Sequence, residues 1–319
     1  MFETIKKYKA NLMIKKSVKS LEKGDFDSAL KLIEDLLKIF PKCEKALYLK
    51  GRIYQFLGEY NKSLTCYDDI IHINPKYFFV WVEKALLLSS LKKYDDALKV
   101  LNEGLSININ NQELIELKVK IFRESGRYDE GLEYANHVLN DINKELGMGI
   151  KASVLMAMGS CNDAYGCFYS LYDSNKKNIS ACFGLSSASY CLGNLEDAID
   201  FLKKCIELNN DNLMFHLLYA SYLIENKSYN HALDILNETL KSYADFNFYY
   251  LKGLCLEFLN KEEDAQKYYE KGLNLALVSL EAYNDESSSE MISVILERLN
   301  SPDEAKKYFD KFKKLNSRD

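Results

Sequence analysis

Small residues recur along this chain with a period of about 34 positions, and this regularity limits the fold more than any other feature of the sequence. Each of these small residues opens the second apolar run of its period. The last two members of the series are 40 residues apart, while all other neighbours are 33 or 34 residues apart. A fixed period of this size indicates a repeat architecture. The series consists of Ala29, Ser63, Ala97, Gly131, Ala164, Ala198, Ala232, Ala265 and Ala305.

A second series of mostly small residues lies twelve positions ahead of the first, at Ser17, Gly51, Ala85, Val119, Ala152, Ser186, Ala220, Gly253 and Ser293. Two antiparallel helices joined by a short turn approach most closely at one point, where only small side chains let the backbones meet. The large member, Val119, is matched to the smallest partner, Gly131, as close packing of a contacting pair requires. We therefore predict helix pairs that touch at these positions.

The turns of the predicted helix pairs are also visible in the sequence. Glycine suits the left-handed position that closes a helix, and it recurs at Gly24, Gly58, Gly126, Gly159 and Gly193. Acidic residues follow where the next helix should begin, which favours its dipole. The whole chain of 319 residues has three prolines and 14 glycines, and so few helix breakers predict an all-helical protein.

The segment 44–77 resembles the tetratricopeptide repeat almost position by position. Its signature residues are Leu47, Gly51, Tyr54, Gly58, Tyr60, Ser63, Tyr67, Ile70 and Pro75. The resemblance implies an all-α solenoid, a right-handed superhelix of antiparallel helix pairs that forms a single domain over 1–319. The repeats would cover about 10–43, 44–77, 78–111, 112–144, 145–178, 179–212, 213–245, 246–279 and 286–319.

The last repeat departs from the others in its spacing. The 40-residue step before it implies a longer helix or a loop between Ser279 and Glu290. We expect the serine run at 287–289 to mark that break, and Gly147 with Gly149 to loosen or delay the start of a helix.

Composition and charge exclude several other classes of function. The net charge of −5 and the absence of a basic run argue against nucleic-acid binding. The longest apolar cluster, 273–280, is too short to cross a membrane, and the amino terminus lacks an apolar signal-peptide segment. No histidine lies in a zinc motif, and no nucleophile comes with a base, so we expect no metal, cofactor or enzymatic activity.

The eight cysteines form no C-x-x-C pair and fall mostly at apolar positions of the helical pattern. We interpret them as buried structural thiols in a reduced, cytoplasmic protein. His216 lies early in the first helix of its repeat, where we expect a packed side chain instead of a metal ligand.

In the resembled family, the concave surface carries the second, fifth, ninth and twelfth residues of each repeat. Near the amino terminus this rule selects Lys45, Tyr48, Arg52 and Gln55, a mixed and charged set. In the later repeats the face is apolar and aromatic, and a groove of this kind could take an amphipathic helix. The candidates there are Met156, Phe183, Ser187, Tyr190, Met214, Leu217, Ser221, Ile224 and Tyr250.

These observations favour a protein-interaction scaffold that holds a peptide or a helical segment of a partner protein in its concave groove. Four alternatives stay open at this point. The same apolar residues could be ordinary packing between repeats, or could be covered by the chain's own carboxyl-terminal helices. They could also join two copies of the chain into a homodimer, and RNA binding, as in other helical-repeat families, is a weaker possibility.

Overall fold

The computed structural model describes residues 2–283 and 286–316, and every regular element within that part is helical. Eighteen α-helices follow one another there in consecutive pairs, so the expected all-α repeat fold is confirmed. They are α1 (Phe2–Glu22), α2 (Phe26–Ile39), α3 (Glu44–Phe56), α4 (Tyr60–Ile73), α5 (Phe78–Ser90), α6 (Tyr94–Ile107), α7 (Gln112–Glu124), α8 (Tyr128–His137), α9 (Lys144–Ala157), α10 (Cys161–Ser174), α11 (Ile179–Cys191), α12 (Leu195–Leu208), α13 (Leu213–Glu225), α14 (Tyr229–Ser242), α15 (Phe246–Phe258), α16 (Glu262–Tyr283), α17 (Glu286–Arg298) and α18 (Pro302–Asn316).

The chain divides into two compact units, 1–150 and 151–319. Within each unit, a helix packs mainly on its neighbours in sequence, as expected of a repeat array. First helices of successive repeats also touch, for example α5 and α7 in the first unit, and α13 and α15 in the second. The odd-numbered helix of each repeat is here called its first helix, and the first helices that touch form one side of their unit.

The two series of small residues lie inside the helix pairs. Two of the pairs are joined directly, because the Ser17 hydroxyl donates to the Ala29 carbonyl (3.2 Å) and the Ser186 hydroxyl donates to the Ala198 carbonyl (2.7 Å). A methyl group at Gly51 would lie 2.8 Å from the Tyr67 ring of the second helix. The close packing of the two helices is therefore what requires a small residue at these positions.

The turns between paired helices use one left-handed residue. All five turn glycines have φ between 72° and 79°, as the sequence predicted. The same conformation recurs at Lys92, Lys227, Asn260 and Asn300, which have φ of 57° or 58°. A side chain with a β-carbon is strained in this region, so these four turns tolerate a cost that the glycine turns avoid.

The structure corrects two expectations near the irregular repeats. The 40-residue step comes from a longer helix, because α16 runs for 22 residues. The serines expected to mark the break lie in the first turn of α17 instead, where Ser289 is buried and donates to the Tyr308 carbonyl (3.0 Å). Gly147 lies within α9 and does not loosen it, since its Cα faces the Leu139 backbone and a methyl group would lie 2.2 Å away.

Candidate partner-binding surfaces

The candidate residues of the first unit lie on one side of α3. Tyr48, Arg52 and Gln55 are half-buried, and Lys45 is exposed near the start of the helix. Tyr48 packs edge-on against Phe79 of α5, with ring centroids 5.3 Å apart. This contact joins the first helices of two successive repeats and leaves an open depression beside it.

That depression, the α3–α5 groove, is a cavity of about 510 Å³. Two of its apolar walls remain in solvent, since Phe56 is 60% exposed and Leu86 is 38% exposed. A large apolar side chain that stays open to water beside a cavity is typical of a contact site. The groove is lined by Arg52, Gln55, Phe56, Tyr60, Glu83, Leu86, Leu87 and Ser90.

Arg52 supplies the positive charge of this groove. Its Nη1 donates to the Tyr48 hydroxyl (3.0 Å), and its guanidinium carbon lies 5.5 Å from the centre of the Phe56 ring. Burial lowers the pKa of Arg52, but the hydrogen bond that it donates to Tyr48 and the negative charge of Glu83 outweigh this effect and raise the pKa overall. The guanidinium is therefore charged and is held in place by aromatic neighbours.

Glu83 and Gln55 complete the polar floor of the groove. Burial raises the pKa of the Glu83 carboxyl, the charge of Arg52 opposes this shift, and Glu113 adds to it. The Gln55 side-chain oxygen accepts from the Tyr67 hydroxyl (2.8 Å), which fixes the orientation of the amide. The floor thus offers donors from two residues and an acceptor from a third.

In the second unit, α11 and α13 carry most of the candidate residues. Phe183 lies 5.5 Å from Phe215, and Tyr190 stacks on Tyr222 with ring centroids 4.6 Å apart and planes 4° apart. The Tyr190 hydroxyl donates to Glu225 (3.0 Å), and this bond to a carboxylate raises the pKa of the phenol. Aromatic stacking between successive first helices therefore fixes the spacing of this surface.

The candidates of this surface, here called the α11–α13 face, differ in how far they reach solvent. Met214 is 57% exposed and Tyr190 is 42% exposed. Phe183, Leu217 and Ile224 are half-buried and pack on the core below them. Part of the predicted groove is therefore packing between repeats, and the side chains open to a partner are the first two.

The repeating serines of the α11–α13 face bond within their own helices. The Ser187 hydroxyl donates to the Phe183 carbonyl (3.0 Å), and the Ser221 hydroxyl donates to the Leu217 carbonyl (2.9 Å). Each hydroxyl donates its hydrogen bond to a carbonyl of its own helix. They leave a floor of small residues between the larger side chains.

The two remaining candidates lie apart from this pair of helices. Met156 is half-buried on α9. Tyr250 on α15 packs on Tyr269, whose hydroxyl donates to Glu257 (2.5 Å), and Glu257 also pairs with Arg298 (2.9 Å). Tyr250 therefore belongs to a polar cluster that ties α15 to α16 and α17.

The structure contradicts the expectation that all cysteines are free thiols. Cys161, the first residue of α10, forms a disulfide with Cys191, the last residue of α11, with Cα atoms 6.2 Å apart. The two lie 30 residues apart in sequence, and only the stacking of successive repeats brings them together. The other six are free, and burial raises the pKa of the Cys66 thiol to about 11. The cytoplasmic location stays a prediction.

The histidine, cysteine and acidic side chains of the described residues form no cluster of three or more suited to a metal ion. His216 is half-buried, and its Nε2 lies 2.8 Å from the Asn210 carbonyl, a packed position. No described helix is both long enough and apolar enough to cross a membrane.

The sequence rule missed five residues of the α3–α5 groove, namely Phe56, Tyr60, Glu83, Leu87 and Ser90. Phe56 and Tyr60 lie beyond the twelfth place of their repeat, where α3 ends and α4 begins, and Glu83 is the sixth residue of the next repeat. The exposure of a large aromatic residue at a helix end could have suggested Phe56. No signal in the sequence points to Glu83, because its place in the groove depends on how α5 packs on α3.

Comparisons with known proteins agree with this architecture. A sequence model described as tetratricopeptide repeat matches residues 20–78, and a second with the same description matches 80–111, 179–212, 246–277 and 288–319. A TPR repeat-containing protein of Methanocaldococcus jannaschii is 26% identical over 247 residues, which are 76% of this chain and 34% of that protein. The chain thus spans about a third of the length of that relative.

Solved structures share the fold at low sequence identity. A tetratricopeptide repeat protein from Parabacteroides merdae has a TM-score of 0.50 and 17% identity, covering 91% of this chain and 99% of that one. A human IFIT1 dimer with m7Gppp-AAAA has a TM-score of 0.52 and 15% identity, covering 94% of this chain and 80% of that one. The family matches together cover more than half of the sequence, and the segments that they match contain helix pairs described above. The chain belongs to the tetratricopeptide repeat family.

Proposed function

We propose that this chain binds a peptide or a helical segment of a partner protein on the sides of its units formed by first helices. The tetratricopeptide fold is a protein-interaction scaffold in general, and solenoids of this kind offer extended binding surfaces. The observation that carries the proposal is the α3–α5 groove. It combines a cavity of about 510 Å³ with exposed apolar walls and a charged floor.

The composition of the groove fits protein recognition. Binding pockets are mostly apolar and contain a few placed polar groups that fix the orientation of the ligand. Arginine and aromatic side chains also dominate the energetics of protein interfaces. Both occur here, since the guanidinium carbon of Arg52 lies 6.0 Å from the centre of the Tyr48 ring and 5.5 Å from the centre of the Phe56 ring.

The α11–α13 face supports a second contact of the same kind in the other unit. Met214 and Tyr190 project into solvent above a floor of small residues. Methionine adapts its shape to different apolar partners. This face suits the apolar side of a helix, whose own backbone needs no bonding partners.

The test is a selection of displayed random peptides on the full-length chain, followed by affinity measurement with the enriched peptides. We expect Leu86→Glu or Met214→Glu to weaken binding at least tenfold by placing a charge in an apolar contact. Ile107→Glu is the matched control, because Ile107 is 40% exposed on a second helix, close to the 38% of Leu86.

Three outcomes would contradict the proposal. Peptides could fail to enrich, or could bind all three variants as well as the original chain. The third is preferential binding of RNA, the ligand in the human IFIT1 complexes, which a 5′-triphosphate AAAA oligonucleotide would detect. Sedimentation of the same variants tests the homodimer alternative. If the α11–α13 face joins two copies of the chain, Met214→Glu should dissociate the dimer.

A further inference from the structure

The floor of the α3–α5 groove holds a cation and a carboxylate that do not pair directly with each other. From this we infer that the groove binds an extended, uncharged peptide segment that carries a bulky apolar side chain. The inference rests on the proposed function and specifies the ligand of one of its two surfaces.

The polar side chains of the floor keep hydrogen-bonding groups that no residue in the described part of the chain uses. Among the described residues, neither Arg52 nor Glu83 takes part in a salt bridge, and the one hydrogen bond of the guanidinium goes to the Tyr48 hydroxyl. A guanidinium has five donors, so most of them remain for a ligand. The Gln55 amide accepts through its oxygen and keeps its N–H groups for donation.

The opposite charges select a ligand with both a donor and an acceptor. A free carboxylate would gain from Arg52 but would be repelled by Glu83, and Glu113 adds to the negative potential there. A lysine or arginine of a ligand would be attracted by Glu83 but repelled by Arg52. One extended residue satisfies both side chains, because its carbonyl and its N–H point to the same edge of the strand, where the carbonyl accepts from Arg52 and the N–H donates to Glu83.

The need for free peptide groups decides between extended and helical ligands. Within an α-helix, backbone N–H and carbonyl groups bond to each other and are not available to a partner. An extended segment leaves them free and directs successive side chains to opposite sides. One of these side chains can then lie against Phe56, Tyr60 and Leu86, the apolar walls of the cavity.

The first experiment analyses the peptides selected from a displayed random library on the full-length chain with Met214→Glu. This substitution removes the α11–α13 face from the selection. We expect a bulky apolar residue at one fixed position, few charged residues around it, and affinities that change less than twofold between low and physiological salt. Enriched acidic peptides whose binding falls steeply with salt would overturn the inference.

The second experiment uses charge substitutions of similar shape. With an enriched peptide as the probe, we expect Glu83→Gln and Arg52→Gln each to weaken binding about tenfold, the effect of one charged hydrogen bond. Glu103→Gln, an exposed acidic position on α6, is the matched control and should change nothing. Thermal unfolding followed by circular dichroism verifies that all three variants fold.

The sign of the Glu83→Gln effect separates the possible ligands. Tighter binding would show that the ligand presents a carboxylate to Arg52, which refutes the inference. Binding could also stay unchanged in the Arg52 and Glu83 variants and be lost only in Leu86→Glu. That result would refute the inference about the ligand but would leave the proposed function intact. Loss of peptide binding from every surface would remove both.

Discussion

Gly184 gives the sharpest test of how the repeats pack. This residue lies on α11, and a methyl group there would come within 2.4 Å of two atoms of the Phe168 ring and 2.5 Å of a third. Ordinary contact begins near 3.4 Å, so the ring must move by about 1 Å. Phe168 is buried on α10, and enlarging a packed core of this kind costs about 1–3 kcal/mol.

An alanine in the middle of a helix also brings a gain. Replacing glycine favours the helix by about 1 kcal/mol, so the net loss of unfolding free energy for Gly184→Ala should be about 0–2 kcal/mol. Gly166 provides the matched control, because it lies within α10, is exposed, and has nothing within 4 Å of the added methyl group. Gly166→Ala should therefore stabilise the chain by up to about 1 kcal/mol.

Urea unfolding followed by circular dichroism compares the two variants with the original chain under the same redox conditions. Repeat arrays can unfold in stages, so the midpoint of the phase assigned to the second unit is the quantity to compare. Equal stability of Gly184→Ala and Gly166→Ala would contradict close packing of Gly184 on the Phe168 ring. That result would mean that the Phe168 ring has free space to move into.

Three further predictions concern stability. Lys227→Gly should raise the unfolding free energy by about 1 kcal/mol, because the turn needs a left-handed residue. Urea melts measure this free energy, and an unchanged value would contradict the prediction. Cys161→Ser, compared under oxidising conditions, should lower it by about 3–4 kcal/mol by removing the link to Cys191, and an equal midpoint with and without reductant would disprove the link. Gly131→Leu should destabilise the first unit by overpacking against Val119, and an unchanged melting curve would refute the twelve-residue pairing.

The sequence predicted the fold well because the repeat pattern is local. Helix pairs, left-handed glycines and small contact residues all follow from spacings of two to twelve residues, and the structure has helices at these places. One error arose where the pattern was interrupted. The serine run at 287–289 suggested a break from its composition alone, but Ser289 bonds to α18, which a local argument cannot foresee.

The candidate surfaces were harder to predict because they depend on contacts between repeats. Family positions led to Arg52 and Gln55 but not to Phe56 or Glu83, which join them in the groove. They also led to Phe183 and Leu217, which the structure packs on the core. Whether an apolar residue faces solvent or its neighbour is decided by the angle between helices, and single-sequence patterns do not contain that angle.

The disulfide between Cys161 and Cys191 changes how an array of this kind can come apart. Its two ends belong to the second helix of one repeat and the first helix of the next. Solenoids ordinarily open by separating at such a junction, one repeat after another. In the oxidised chain that separation is blocked by a covalent tether. Slow-exchanging amides of α10 and α11 should then lose their protection together, and reduction should let the two helices exchange at different rates.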